Sequence, residues 1–333
     1  CYINGQWVES KTTKYMDVFN PSTGEVMAQA PCCTPDEVEQ AIQAAAAAFP
    51  AWSETPVMRR VQVLYKLRDL LDEHMDELTE LVARENGKAW GDAEGDVLKA
   101  KEATEQAIAA PNLMMGESLM DTSNQIDTVM YREPLGVFAG IVPFNFPAMI
   151  PMGWMAPMCI ATGNTMVIKA ASMTPMTCLR IAELYKEAGL PDGVLNIVTC
   201  SRVEAEIFLS HPAVKGVSFV GSTSVGLHIY STAAAHGKRV QALCEAKNHA
   251  LVLEDSPIER TAAGIINAAY GCAGERCMAL PTVVVQESIA DALVAAIVRK
   301  AKELKVGPAY DKTTEMGPVV TADHRKFVTD WIE

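Results

Sequence analysis

The chain has 333 residues, a net charge of −13, 49% hydrophobic and 21% charged residues. This is an ordinary globular composition, long enough for two domains, and its acidity argues against nucleic acid or an anionic membrane surface as partner. Its nine cysteines are odd in number and scattered, without a CxxC pair or histidines at ligand spacing, which argues against a disulfide framework or metal site and for a reducing, cytoplasmic setting.

No secretory signal is legible in the opening CYINGQWVES. Residues 1–30 read as short strands, Tyr2–Ile3 and Gln6–Val8, around an Asn4–Gly5 turn, with a second turn at Asn20–Gly24. Thr34 then supplies an N-cap, Pro35 the first helical position and Glu37 the N3 carboxylate, so a helix is predicted through the alanine-rich Ala41–Phe49. Pro56 opens another, predicted as one helix over Val57–Glu85 from apolar spacing at Val61, Leu64, Leu67, Leu71, Leu78 and Leu81. A third, highly charged helix is expected over Asp92–Ala110, and an extended strand at Val129–Tyr131.

Pro134–Ile168 carries no charge and is long enough to span a membrane. Its five prolines, with Asn145 and Asn164, break it into strand, turn, helix and strand, so it reads as buried sheet core. Strands are predicted at Val137–Val142, Thr165–Ala170, Val194–Thr199, Gly216–Val220 and Arg239–Leu243. Helices over 148–162, Thr174–Ala188, 202–210 and Ser224–His236 alternate with them. This predicts an α/β fold with a doubly wound, Rossmann-like parallel sheet that binds ligands at the carboxyl ends of its strands.

Three strand ends carry polar or glycine clusters. After Val142, PFNFP sets Asn145 in a turn between prolines; its amide is either an ordinary turn residue or a neutral donor for an oxyanion. After Ile168 comes Lys169, which binds a ribose or phosphate, or snorkels to solvent. After Val220, GSTSVG runs into a helix, a weak phosphate signal that matches no full glycine-loop motif. Further on, GIINAAYGCAGERCMALPTVVV presents Cys277 between helix and strand. Alone it reads as a small buried hydrophobe, as most free cysteines do; the neighbouring Arg276 would favour its thiolate.

Taken together, PFNFP, the IKxxS stretch, FVGST and GERCMAL resemble, in order and spacing, the motifs of the aldehyde dehydrogenase superfamily along essentially the whole chain. PFNFPAMIP, PNLMMGESL, STAAAHGKRVQAL, AKNH and RCMAL point within it to the CoA-acylating methylmalonate-semialdehyde dehydrogenase branch. The resemblance implies that Cys277 attacks an aldehyde and ends as a thioester, with Asn145 and the Cys277 backbone amide as the oxyanion hole. It implies NAD as cofactor, held by Lys169 at the ribose, by Gly221 and Ser222 at the pyrophosphate and nicotinamide side, and by Phe144 and Ser172 nearby. Arg276 and Lys99 would meet a substrate carboxylate, CoA would accept the acyl group, and the assembly would be a homodimer or homotetramer.

Four departures qualify that picture. Lys169 is followed by Ala170, Ala171 and Ser172, where the family carries a glutamate for the ribose 2′-OH, which admits NADP. Lys99 stands where the branch carries an arginine, a point charge in place of a bidentate fork. Gly153 reads as one residue more than the branch pattern has. The chain also ends short of the family's length, so a C-terminally truncated catalytic domain is expected. Its domains would be a nucleotide-binding unit (1–119 and 134–245), a bridging segment (120–133) and the first part of a catalytic unit (246–333).

Where related enzymes carry LELGGK, whose glutamate activates water, the count lands on Leu243, or on Ala242 if aligned one residue earlier; neither accepts a proton. Strand alternation puts Glu245 on the same face as Leu243, about 7 Å further along. CoA is therefore the expected acceptor. The alternatives are a hydrolytic aldehyde dehydrogenase and a non-catalytic fragment that keeps only the nucleotide site.

Overall fold

The computed structural model describes residues 1–333. Two antiparallel pairs open it, β1 (Tyr2–Ile3) with β2 (Gln6–Trp7) and β3 (Tyr15–Phe19) with β4 (Val26–Pro31). Thr34 and Glu37 form the reciprocal capping box at the start of α1 (Pro35–Glu54), which continues through Pro50. The helix expected over Val57–Glu85 is two, α2 (Val57–Glu73) and α3 (Met75–Asn86), broken at His74. Leu71 and Leu78 are both fully buried on either side of the break. The bend keeps the apolar spacing, so periodicity alone does not reveal it.

Gly87, in the left-handed region at φ 90°, ends α3. Helices α4 (Trp90–Ile108) and α5 (Ala110–Leu113) follow. Of the strand expected at Val129–Tyr131 only Val129 is in one: it ends β6 (Ile126–Val129), which pairs with β5 (Ser118–Ser123) in a hairpin exposed at every residue.

Five parallel strands form the central sheet: β7 (Val137–Ile141), β8 (Thr165–Lys169), β9 (Leu195–Val198), β10 (Val214–Val220) and β11 (Arg239–Leu243). Their order is β11-β10-β7-β8-β9, with β1 and β2 completing the edge. The chain moves outward from β7 in one direction through β8 and β9, and in the other through β10 and β11. The strand order therefore reverses at β7, and a crevice opens above its carboxyl end. Helices α6 (Ala156–Ala161), α7 (Met176–Glu187), α8 (Arg202–Ser210) and α9 (Thr223–Ala235) make the crossovers. Met166 and Ile168 pack into one core with α2, α4 and α7, whereas Val167 packs into the other with α1 and α8. Both faces are thus covered, which accounts for the uncharged strand sequences.

The helix expected over 148–162 starts as a π-helix, Met149–Met155. Such a turn spaces its bonds five residues apart and so takes up an extra residue; the Ala156 N–H donates to Pro151 O. Gly153 lies against α4, where a Cβ would sit 2.8 Å from the Ala100 Cα. Beyond the large sheet, β12 (His249–Val252) pairs in parallel with β13 (Thr282–Val285). With α10 (Ile258–Tyr270) and α11 (Glu287–Glu303) it builds a separate small core around Val252, Ala262, Ile265, Leu293 and Ala296. The last helix, α12 (Ala322–Ile332), buries no residue. No helix is long and apolar enough to cross a membrane.

The start of α7 is capped from a distance. Glu85 accepts from the Met176 N–H at 2.8 Å and the Thr177 N–H at 2.9 Å, satisfying two otherwise unpaired helix donors. Burial pushes its carboxyl up to about 7, against those bonds, which pull it down. Glu85→Ala should strand both buried N–H groups and cost about 2–4 kcal/mol. Urea denaturation of the two proteins measures it, and an unchanged midpoint would remove Glu85 from this role.

Candidate active site

Asn145 follows β7 of the large sheet, and Cys277 precedes β13 of the small one; a bond from the asparagine side chain links the first to the loop that carries the second. The Asn145 Nδ2 donates to Glu275 O at 2.9 Å, two residues before the cysteine. This uses one of its two amide protons and leaves the other to donate. The turn that carries Asn145 is pinned on several sides. Phe144 O accepts from Asn86 Nδ2 at 3.1 Å and from Thr174 Oγ1 at 3.0 Å. Asp96 Oδ1 accepts from the Met149 N–H at 2.8 Å, and Asp96 Oδ2 pairs with Lys88 Nζ at 2.9 Å, with both side chains buried. The Lys88 ammonium also sits 3.6 Å from the centroid of the Phe146 ring.

The thiol loop is held from both ends. Asn248 Nδ2 donates to Cys277 O at 2.9 Å and to Ala279 O at 2.8 Å. Upstream, Cys272 (φ 49°) and Ala273 (φ 52°) occupy the left-handed region although neither is glycine, a strained arrangement of the kind that collects at functional sites. Asp92 holds this kink by accepting from the Cys272 N–H at 2.7 Å. Cys277 itself is half-buried.

Arg276 does not lend its charge freely to Cys277, contrary to the sequence-based expectation. Its Nη2 lies 2.7 Å from Asp92 Oδ1 and its Nε 3.3 Å from the Cys272 Sγ, so a carboxylate offsets the guanidinium. Gly271 permits this, since a Cβ there would collide with the guanidinium. The Nη1 is left without a protein partner. Lys99 lies two turns beyond Asp92 on the same face of α4, about 10 Å along the axis; it is exposed and paired with Glu102 at 2.6 Å.

Glu275 is buried, with Oε1 accepting from the Val320 N–H at 3.1 Å and 3.2 Å from His324 Nε2. The His324 ring stacks on Phe327 and meets the Phe144 ring edge-on, 5.3 Å between centroids. Burial raises the Glu275 carboxyl to about 7 and lowers the His324 imidazole. Near neutral pH this contact is therefore closer to a neutral hydrogen bond than to an ion pair.

A second feature lies at the switch point. A cleft of about 270 Å³ opens between the ends of β7, β8 and β10, lined among others by Pro143, Lys169, Arg202, Glu206, Gly221 and Ser222. Lys169 is largely buried there, and desolvation lowers its ammonium. Lys169, Gly221 and Ser222 are thus brought together. Ser172 lies in the turn after β8, outside this lining. Phe144 faces His324, towards the thiol loop. At the other end of the sheet β11 stops at Leu243. Strand alternation therefore does not reach Glu245, which is exposed in the following coil, and the sequence-based spacing between the two does not hold.

Sequence reasoning missed Glu85, Lys88, Asp92, Asp96, Asn248 and Arg202. The first four lie on or beside helices read as scaffold; burial marks out Glu85, Lys88 and Asp96, and contact with Arg276 marks out Asp92. Asn248 belongs to AKNH, a motif noted without a role.

The aldehyde dehydrogenase family model matches residues 7–333. A malonate-semialdehyde dehydrogenase of Geobacillus kaustophilus is 50% identical over 332 residues, covering 100% of this chain and 68% of that protein. The crystal structure of a methylmalonate-semialdehyde dehydrogenase from Oceanimonas doudoroffii superposes with a TM-score of 0.97 at 44% identity, over 99% of this chain and 68% of that one. A protein from Sinorhizobium meliloti described as a methylmalonate-semialdehyde dehydrogenase, solved with NAD, gives a TM-score of 0.97 at 39% identity, over 99% of this chain and 67% of that one.

The buried Glu275 generates a pH test. Its carboxyl titrates at 4.5 when free and about 7 in the fold, so the folded state holds the extra proton between those values. Its contribution is fullest below pH 4.5, declines as pH rises to 7, and is flat above. Glu275→Gln should remove that decline, gaining about 2–3 kcal/mol over wild type at pH 8 compared with pH 4.5. Denaturation at the two pH values measures the difference, and parallel curves would rule it out. With a family model that spans nearly the whole chain and relatives this similar in sequence and in structure, the chain belongs to the aldehyde dehydrogenase family.

Proposed function

We propose that the chain carries the NAD(P)-dependent oxidation of a short semialdehyde, with malonate or methylmalonate semialdehyde as substrate and CoA as acyl acceptor. The observation that carries this reading is the Asn145–Glu275 bond, which sets an amide donor beside the thiol loop at the end of the nucleotide sheet. In this reading residues 1–119 and 134–245 form the nucleotide-binding unit, 120–133 the bridging segment and 246–333 the start of the catalytic unit.

Cys277 Sγ adds to the aldehyde carbon, and the carbonyl oxygen becomes an oxyanion. The free Asn145 N–H and the Cys277 backbone N–H donate to that oxygen, where the charge develops. The half-buried Lys169 and the Ser222 amide at the start of α9 fit a dinucleotide in the switch-point cleft; Gly221 lines the cleft, its own N–H being bonded to Leu243 O. When bound, the dinucleotide would take up the aldehyde hydrogen together with its two bonding electrons, as hydride. Cys277 then holds the acyl group as a thioester. The Arg276 Nη1, left without a protein partner, offers a donor to a substrate carboxylate, whereas Lys99 is exposed and taken up by Glu102.

By the motif count Leu243 falls where a base would activate water, and it cannot accept a proton. Release therefore falls to the CoA thiolate, which forms the new thioester as the Cys277 sulfur leaves. Rapid mixing with aldehyde and cofactor should give a burst of about one reduced cofactor per Cys277, then slow turnover that CoA accelerates. Iodoacetamide should abolish the burst in step with labelling of Cys277, and Cys277→Ala should lack it. Fast release of free acid without CoA, lost in Glu245→Gln, would instead make Glu245 the base of a hydrolytic enzyme.

The exposed hairpin supports self-association as a homodimer or homotetramer. Leu119, Met120 and Ile126 are all more than half exposed on it, an apolar patch of the kind that marks an interface. Light scattering should show wild type as an oligomer and Leu119→Asp/Ile126→Asp as a smaller species. A monomeric wild type would end this reading.

A further inference from the structure

The switch-point cleft holds more positive charge than a neutral ribose requires. Lys169 enters it from the end of β8, and Arg202 from the first turn of α8. Neither side chain makes an ion pair; the one carboxylate among the lining residues, Glu206, is already held by His228 Nε2 at 2.8 Å. Arg202 and Glu206 stand one turn apart on the same helix, yet they do not pair. Ser172, which follows the lysine strand, brings no carboxylate to the lining.

Position makes Arg202 unusual. A cation in the first turn opposes the helix dipole, a place that favours acidic residues. Lys169 is likewise costly, since a largely buried ammonium without a counterion is poorly solvated. Both penalties are relieved by one anion between them. The anion that belongs beside an adenosine ribose at such a crevice is a 2′-phosphate, and an arginine is the residue that accommodates it.

We propose that Arg202 and Lys169 form a 2′-phosphate site, so that this chain takes the NADP-type cofactor in preference to NAD. The inference rests on the dinucleotide reading of the cleft, and the two fail in different ways. Arg202 is exposed and bonded to no other residue, so its variants should keep the fold; unchanged thermal midpoints check this.

Isothermal titration of the 333-residue protein with 2′,5′-ADP and with 5′-AMP separates the contributions, because the two probes differ only in the 2′-phosphate. Wild type should bind 2′,5′-ADP about tenfold or more tightly than 5′-AMP, as charge-assisted bonds to a phosphate warrant. That margin should shrink with added salt. Arg202→Ala should bring 2′,5′-ADP close to 5′-AMP while leaving 5′-AMP within about twofold, and Arg202→Lys should keep part of the margin. Equal binding of the two probes by wild type overturns the 2′-phosphate site alone. A margin that survives Arg202→Ala overturns the role of Arg202. Binding of neither probe overturns the cleft reading together with the site.

Discussion

The bond from Asn145 to the backbone carbonyl of Glu275 joins the end of the large sheet to the loop that leads into the small one, whose core is separate. It ties the carboxyl end of β7, the strand at which the large sheet reverses, to the loop bearing the thiol. Its strength is modest, as for any single hydrogen bond; its value is positional. An amide displaced by even an ångström would no longer donate to the atom where charge develops. Much of the surrounding structure bears on keeping that amide in place, and many of the groups doing so come from the N-terminal helices.

Those helices bring buried charge to the site. Lys88 and Asp96 form an ion pair with both side chains out of solvent, an arrangement whose desolvation cost can match its attraction. The pair acts as a fixture: Asp96 orients the first turn of the π-helix, and Lys88 lies on the Phe146 ring beside Asn145. Glu85 and Glu275 repeat the pattern as buried carboxyls raised to about 7 that accept from backbone N–H groups of distant segments. Stability is given up at neutral pH for placement of the Phe144–Asn145 turn and of the thiol loop.

The charge around the thiol follows the same logic of restraint. Arg276 is adjacent to Cys277 in sequence, but its guanidinium turns back over Gly271 to Asp92. Asp92 thereby holds both the strained Cys272 kink and the one cation beside the nucleophile. In the switch-point cleft the situation is reversed: Lys169 and Arg202 face the cavity without carboxylate partners. The two sites differ in whether their positive charge has been offset.

The sequence by itself determined the family, the parallel sheet and several elements to the residue. β1 at Tyr2–Ile3, β11 at Arg239–Leu243 and the Thr34–Glu37 capping box follow from propensity, alternation and capping, which act within a few residues. Motif order likewise identified the family that the comparisons show. Only the tertiary structure decided the break at His74, the π-helix that takes in Gly153 and the direction of Arg276. The partners that settle such features are remote in sequence: Arg276 and Asp92 are 184 positions apart, and Asn145 and Glu275 are 130. Which charges were paired and which were left free, as at Arg202, followed from packing between elements, a long-range quantity that local pattern does not carry.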